Sequence, residues 1–470
     1  MQRRDRMSAP QSVVFLLGLS AGLALLAGER PSAVASPPDQ GVRAGLLPPV
    51  PAPTATALDH PSTALSELQV EILVEHVLAR NPSLAQMVAA WQAASARYPQ
   101  VTSLEDPMFT GIVGPASFGS RDVDGAYRLE ISQKFPFPGK LHLRGENAQA
   151  EASAAGNDVH DMRLQLIESA RSAFADYYLV ARALAVNDEA LRRLAELRQN
   201  AAARARTGLA PEQDMLQADV EIGRQRERQL DLEQTHKIAV ARLNTLMHLP
   251  PETPLPPPPV RLPVDEVLPG PETLRGVAFA RRPDLQALAD RIAADEANLG
   301  LAHKEYYPDV EVMAAYDAFW QRPEQDLRPM VGVRLNLPIR LERRRGAVAE
   351  AQARLAQRRA ELARLTDQVN FQVVEADAQV SRAAKVVRLY EQTILRDAKL
   401  NVDAARTAYA NGKIPAISLI EAQRNEIGLR DRYYEATADY HRRRAALERV
   451  IGGPLTTPSA PSTGSASGRQ

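Results

Sequence analysis

Reactive residue types are sparse in this chain, and they never cluster. Cysteine is absent from all 470 residues, which excludes a thiolate nucleophile, a thiolate metal site and a disulfide framework. The eight histidines (His60, His76, His142, His160, His236, His248, His303 and His441) stand apart, and none forms an HExxH or another ligand spacing. There is no phosphate loop and no G-x-S-x-G nucleophile elbow. Lys plus Arg and Asp plus Glu both number 57, so the basic excess that nucleic-acid binding draws on is missing. The expectation is a protein that is not an enzyme, with no cofactor, no metal site and no nucleic-acid partner. Two turns stand out instead, Gly208-Leu209-Ala210-Pro211 and Gly412-Lys413-Ile414-Pro415. A glycine at a helix end supplies the left-handed conformation that closes it, and proline suits the first turn of the next helix.

These turns sit between the longest proline-free stretches. Residues 139–210 and 339–414 contain no proline, and each is followed by a free run of 38 residues, 212–249 and 416–453. Proline breaks helices, so these runs bound where long helices extend. Other residues repeat in step. Asn81-Pro82-Ser83-Leu84 matches Arg282-Pro283-Asp284-Leu285, Pro107 matches Pro308, Pro136 matches Pro338, and Ala218 matches Ala422. The chain therefore reads as two tandem copies of one unit: helix, strand, strand, very long helix, medium helix. First helices are expected at about 66–98 and 273–304, and long helices at about 140–206 and 343–410. At ~1.5 Å per residue each long helix reaches ~100 Å, so it needs lateral partners. Aromatics are only 5% of the chain, which fits rods packed closely through small side chains. The second long helix carries a seam with alternating spacings of four and three, Leu362, Leu365, Val369, Val373, Ala376, Val380, Ala383, Val387, Tyr390 and Ile394. The first has a looser version in Leu164, Ile167, Phe174, Tyr178 and Ala181.

The strands alternate between an apolar and a polar wall. Over 127–137, Tyr127, Leu129, Ile131, Phe135 and Phe137 face one way, and Arg128, Glu130, Ser132 and Lys134 the other. Over 331–337, Val331, Val333, Leu335 and Leu337 share a face. Val310 and Val312 alternate with Asp309 and Glu311, and 108–114 is a weaker strand. Long rods leave little surface to cover such walls, whereas a transmembrane barrel puts lipid on one side and water on the other. Four strands cannot close a barrel, the smallest known having about eight, so closure requires several subunits. Loops 115–125 and 317–329 suit exposed hairpin tips. Phe135 and Phe137 read as a barrel girdle. Trp91 and Trp320 read as interfacial, with packing the alternative for Trp91.

Residues 1–35 read as a signal peptide. Arg3, Arg4 and Arg6 precede an apolar stretch, Val13 to Ala27, and the small-x-small site Ala33-Val34-Ala35. The expected organisation continues with an extended Pro-rich arm at 36–65 and a first repeat at 66–249. A Pro-rich crossover at 250–272, a second repeat at 273–452 and a disordered tail at 453–470 complete it.

With these residues in place, the sequence resembles the outer-membrane factor (TolC-like) family over about 66–452, most closely its heavy-metal efflux branch. The resemblance is carried by three segments in order. They are Asn81-Pro82, the stretch Ile131-Ser132-Gln133-Lys134-Phe135-Pro136-Phe137-Pro138-Gly139-Lys140, and Tyr409-Ala410-Asn411-Gly412 ahead of Leu419-Ile420-Glu421-Ala422-Gln423. It implies a mainly α fold, a long helical coiled-coil barrel joined to a twelve-stranded β-barrel. A homotrimer would form that β-barrel, four strands per chain, in the cell outer membrane with a long periplasmic extension. It implies a passive duct in a tripartite efflux system, with a periplasmic adaptor and an inner-membrane pump of the resistance-nodulation-division type as partners. Heavy-metal cations are the implied cargo, with type I secretion or drug efflux as alternatives. A periplasmic coiled-coil scaffold without a pore is the reading from another class. The family further implies acidic rings at the constriction, which map here to Asp214 and Glu421 as pore-gate candidates; the first family position in the second repeat is Ser418, a departure. Adaptor contact maps to Gly208, Leu209, Ala210, Gly412, Lys413 and Ile414.

Overall fold

The computed structural model describes residues 67–115, 126–208, 211–264, 268–319 and 329–455. The expected signal peptide and Pro-rich arm, Leu209, Ala210, Trp320, most of both hairpin tips and all but the start of the tail lie outside the described residues.

The first repeat runs α1 (Val70–Arg80), α2 (Pro82–Ser95), α3 (Arg97–Thr102), β1 (Met108–Val113), β2 (Ala126–Phe135), α4 (Lys140–Arg206) and α5 (Glu212–Leu246). The second runs α6 (Pro271–Arg281), α7 (Pro283–Lys304), β3 (Val310–Phe319), β4 (Met330–Leu335), α8 (Leu341–Leu389), a π turn (Tyr390–Ile394), α9 (Leu395–Ala410) and α10 (Ala416–Val450). The duplication read from the sequence is thus a duplication of elements. Its first helices differ from expectation, because each is split. Pro82 and Pro283 cannot donate to the preceding turn, so each opens a new helix after one extended residue, Asn81 or Arg282. That residue is used the same way twice. Asn81 Nδ2 donates to the carbonyl of Leu246 at 3.0 Å, and Arg282 Nη1 to that of Val450 at 3.4 Å. Each tie holds the start of a repeat to its last helix.

The core is likewise doubled. One cluster joins Leu73, Val77, Leu166, Ala170, Phe174, Tyr177, Leu243 and Met247. The other joins Leu274, Ala278, Val369, Val373, Val380, Tyr440, Leu447 and Ile451. The seam of the second long helix is buried from Val369 to Val387, with Leu362 and Leu365 at its margin. It does not continue through Tyr390 and Ile394 as a heptad pattern, because the π turn falls there; burial resumes at Ala398 and Val402. The looser stripe of the first long helix holds at Phe174 and Tyr178, which are buried, and is corrected at Leu164 and Ile167, which are half-buried. α4 packs against α1, α2, α5, α7 and α10, so it buries several faces, and Leu166 and Ala170 do the work assigned to Leu164 and Ile167. The crossover lies beside the middle of α4, where the Tyr177 hydroxyl donates to the Pro256 carbonyl at 3.0 Å and the Leu68 amide to Pro257 at 2.9 Å.

Candidate functional site

Two ends of the molecule carry the features that could do work, a small sheet and the paired turns about 100 Å of helix away (67 residues of α4 at ~1.5 Å each).

The sheet is antiparallel in the order β1-β2-β3-β4, with β1 and β4 at open edges. Phe109 pairs with Ile131, Ile131 with Ala314, and Ala314 with Val331. Side chains alternate across a strand, so these residues share one face with Leu129, Phe135, Val312, Val333 and Leu335, and this apolar face is exposed, Phe109 at 71% and Val333 at 63%. The opposite face is ion-paired across three strands. Arg128 meets Glu130 at 3.2 Å and Asp317 at 3.8 Å; Arg334 meets Glu311 at 3.1 Å and Glu130 at 3.7 Å. Both β2 and β4 stop at residue 135 and 335, two residues short of expectation. Phe137 is therefore not in the strand girdle. Its ring stacks on Tyr307 with centroids 4.5 Å apart, under the sheet. Trp91 packs in α2 against the small Gly156 of α4.

Below the sheet the chain makes a buried polar knot. Gly139 takes φ +90, the left-handed region that favours glycine, and turns the chain into α4. Lys140, whose side chain is 1% exposed, sets its Nζ 2.8 Å from Asp309 Oδ1. The Phe137 amide donates to the same oxygen at 2.9 Å. Burial pushes the Asp309 carboxyl up, but the hydrogen bonds from Lys140 and Phe137 and the Lys140 charge outweigh it and hold it below the usual range.

At the far end, Gly208 and Gly412 take φ +72 and +71, as their place at helix ends requires. Lys413 donates its amide to the Ala408 carbonyl at 2.8 Å, closing α9. Pro211 and Pro415 sit one place earlier than expected, as the residues immediately preceding α5 and α10. The two hairpins are fastened together. Arg204 Nη1 donates to the carbonyls of Tyr409 at 2.8 Å and Ala410 at 3.2 Å, and its guanidinium lies over the Tyr409 ring. The Tyr409 hydroxyl donates to Asp214 Oδ2 at 3.4 Å. Burial, then the Asp214 charge, push that hydroxyl's pKa up, so it stays protonated as a donor. Asp214 is 5% exposed in the chain. Asp214, expected as a pore-gate candidate, is covered within the chain by a tyrosine from the other repeat, 195 residues away in sequence.

Glu421 is exposed on α10. It lines an open groove of about 320 Å³ with Arg424, Asn425, Gly428, Leu429 and Arg432, all on one helix face. Gly208, Gly412 and Lys413 are exposed, while Ile414 is half-buried against Leu197, Tyr409, Leu419 and Ile420. Sequence reasoning missed Arg204 and Tyr409 as fasteners; the only signal was their place beside the glycine turns.

Above the tip, α10 is laced to the first repeat by arginine–carboxylate pairs. Arg193 meets Glu426 at 2.7 Å, Arg430 meets Glu189 at 2.7 Å, and Arg424 meets Glu221 at 2.6 Å. Arg228 also pairs with Asp431, and Arg171 with Glu448. No group of three or more His, Cys, Asp or Glu able to hold a metal occurs among the described residues, and no described helix is long and apolar enough to cross a membrane.

A search among curated proteins finds no match. Residues 274–453 match the family model described as outer membrane efflux protein. Among solved structures, the chain is similar to the outer-membrane channel OprN, with TM-score 0.64, 22% identity, and 82% of this chain and 90% of that one covered. It is similar to the outer membrane protein VceC of Vibrio cholerae, with TM-score 0.69, 18% identity and coverage of 83% and 97%. It is also similar to the open state of the MtrE outer membrane channel of Neisseria gonorrhoeae, with TM-score 0.69, 17% identity and coverage of 82% and 89%. The described chain therefore has the fold of the outer-membrane channels, and its second repeat matches the outer membrane efflux protein family.

Proposed function

We propose that three copies of this chain close a twelve-stranded barrel in the outer membrane and continue below it as a helical tunnel through the periplasm. The duct is passive, the outlet of a tripartite efflux system. A periplasmic adaptor meets the exposed tip at Gly208, Gly412 and Lys413, and an inner-membrane pump of the resistance-nodulation-division type supplies the energy. One observation carries this reading. A four-stranded sheet with both edges open exposes an apolar face and ion-pairs the other. Lipid satisfies the first face, a watery lumen the second, and neighbouring copies the edges. A pore-free scaffold gives the apolar face nothing to meet. Light scattering of the detergent-extracted protein should give the mass of three chains; a single-chain mass would sink the reading.

The tip is the gate. Glu421, exposed on α10, supplies a carboxylate per copy to the constriction. Asp214 acts differently, as the acceptor that keeps α9 against α5 through Tyr409. In planar bilayers Glu421→Ala should lower cation selectivity, and Tyr409→Phe should raise conductance; unchanged currents in both would remove these residues from the gate. Heavy-metal cations are the cargo proposed from the Pro136-Phe137-Pro138-Gly139-Lys140 junction. Deleting the gene should lower metal resistance, and a loss of drug resistance alone would reassign the cargo.

A further inference from the structure

The chain contains one complete strand-to-helix junction and the two halves of another. The complete one lies between β2 and β3, which are neighbours in the sheet. There the descending connection 135–140 meets the ascending connection 304–310 through the Phe137–Tyr307 stack and the Lys140–Asp309 pair. The remaining connections belong to the edge strands. The ascending one, 103–107, leads into β1, and the descending one, 336–340, leaves β4. They sit at opposite edges of the sheet and do not meet.

Both half-junctions leave their apolar side chains uncovered, although the Asp309 amide donates to Asn336 Oδ1 at 2.8 Å and Gln133 Nε2 to the Glu105 carbonyl at 2.8 Å. Every residue from 103 to 110 is exposed. Leu337 is 70% and Ile339 82% exposed, although Phe137, the residue at the place of Ile339 in the first repeat, is covered. Their charges are opposite. The ascending half carries Glu105 and Asp106, and the descending half carries Arg340, Arg343, Arg344 and Arg345. Some of these have partners in the chain. Glu105 meets Lys134 at 3.4 Å, Arg344 donates to the Glu305 carbonyl at 2.7 Å, and Arg345 pairs with Glu342 in its own first turn. Asp106 and Arg343 have no ion pair among the described residues.

We infer that the 336–345 connection of one copy closes on residues 98–107 of the next copy, rebuilding between chains the junction that 135–140 and 304–310 build within one. This rests on the multi-copy barrel proposed above. The occupant is a second copy of this chain because the two uncovered halves hold the repeat-equivalent places of the two that already fit, with Ile339 and Asp106 where Phe137 and Tyr307 stack, although Glu342 and Met108 replace the Lys140–Asp309 pair. The two halves also lie where β4 of one copy would extend onto β1 of the next, and they bring arginine to carboxylate. Leu337 and Ile339 then cover the Tyr98 and Leu104 side, and Arg343 faces Asp106. A junction shared by two chains makes the barrel–tunnel joint the same all round the ring.

The cysteine-free sequence makes the test clean. A disulfide needs Cβ atoms about 3.5–4.5 Å apart, so it reports contact directly. The full chain is extracted from outer membranes with Ile339→Cys combined either with Asp106→Cys or, one strand step on, with Met108→Cys, and is then oxidised. Bands at two and three times the chain mass on a denaturing gel are expected from at least one pair and from no single variant. Phe137→Cys with Tyr307→Cys should link within the chain and leave the mass unchanged. A native three-chain mass with no link from either pair would overturn this junction while leaving the trimer standing. A native single-chain mass would overturn both. Arg343→Glu should weaken assembly at least severalfold, and adding Asp106→Arg should restore it; no recovery would count against the Arg343–Asp106 contact.

Discussion

α4 runs from Lys140 to Arg206 without interruption, whereas its counterpart is broken by a π turn at Tyr390–Ile394. The core residues show why. Leu166, Ala170 and Ala173 in α4 play the parts of Val369, Val373 and Ala376 in α8, each 203 residues on, yet the tip glycines, Gly208 and Gly412, are 204 apart. One more residue is needed between core and tip in the second repeat, and a π turn absorbs one residue without rotating the helix on either side. The surroundings differ too. α4 is packed on several sides, while α8 leaves Phe371, Val374 and Leu389 exposed. The slack is placed in the rod that has an open side, where Glu391 still accepts from the Tyr433 hydroxyl at 2.7 Å. A second pair of equivalents differs in the same spirit. After α5 the left-handed turn residue is His248 at φ 55, and after α10 it is Gly452 at φ 80.

Deleting one residue tests the first contrast most severely. Removing Ala378 from the middle of α8 rotates everything below it by about 100° (3.6 residues per turn) and should abolish folding. Removing Gln392 from the π turn should leave a continuous helix, with melting temperature and tip function nearly intact. Equal damage from both deletions would refute the assignment of the extra residue. Gly452→Ala should cost about 2–3 kcal/mol, because the left-handed backbone penalises a Cβ and that Cβ would lie 2.8 Å from the Arg281 carbonyl group; thermal melting reads it. Acid should act on the seams between the repeats. Burial pushes the carboxyls of Glu189 and Glu221 up, but hydrogen bonds and charge from Arg430 and Arg193, and from Arg424, hold them below the usual range. A lowered folded pKa gives stability that is complete above the unfolded value of ~4.3 and is lost as pH falls through the folded value. Melting should therefore drop on acidification below about 4, and Glu189→Gln with Glu221→Gln should flatten the drop. The smallest effect is expected at the other turn, where His248→Gly should stabilise by about 1 kcal/mol; a loss would show that the imidazole contributes packing that outweighs its backbone.

Much of this architecture was legible from where proline is missing. The run 139–210 bounds α4 to within a residue at its start, and the glycines mark the tip because a helix end has few other ways to close. The helix breaks at Asn81 and Arg282 were harder to see, since Pro at a first helical position looks the same in sequence as Pro near one. The π turn was hidden because Val387, Tyr390 and Ile394 keep heptad spacing on paper; the drift in repeat offset was its only trace. The proposed gate residues were half legible. Glu421 stands exposed on its helix, but nothing near Asp214 in sequence shows that Tyr409 covers it, because that contact depends on how two repeats fold onto each other.

The arginine–carboxylate pairs along α10 have a consequence for assembly. α4 and α10 pack along each other, Val186 and Ala190 against Ile427, and both bury small residues such as Ala183, Ala190, Ala438 and Ala445, and smooth antiparallel rods can slide. Arg193 with Glu426 and Glu189 with Arg430 work as an index mark. A slip of one turn sets Arg193 against Arg430 and like charge against like. The register of α10 on α4 is thereby fixed, and in the proposed trimer the three tips come to one level, as staves must before a hoop can close them.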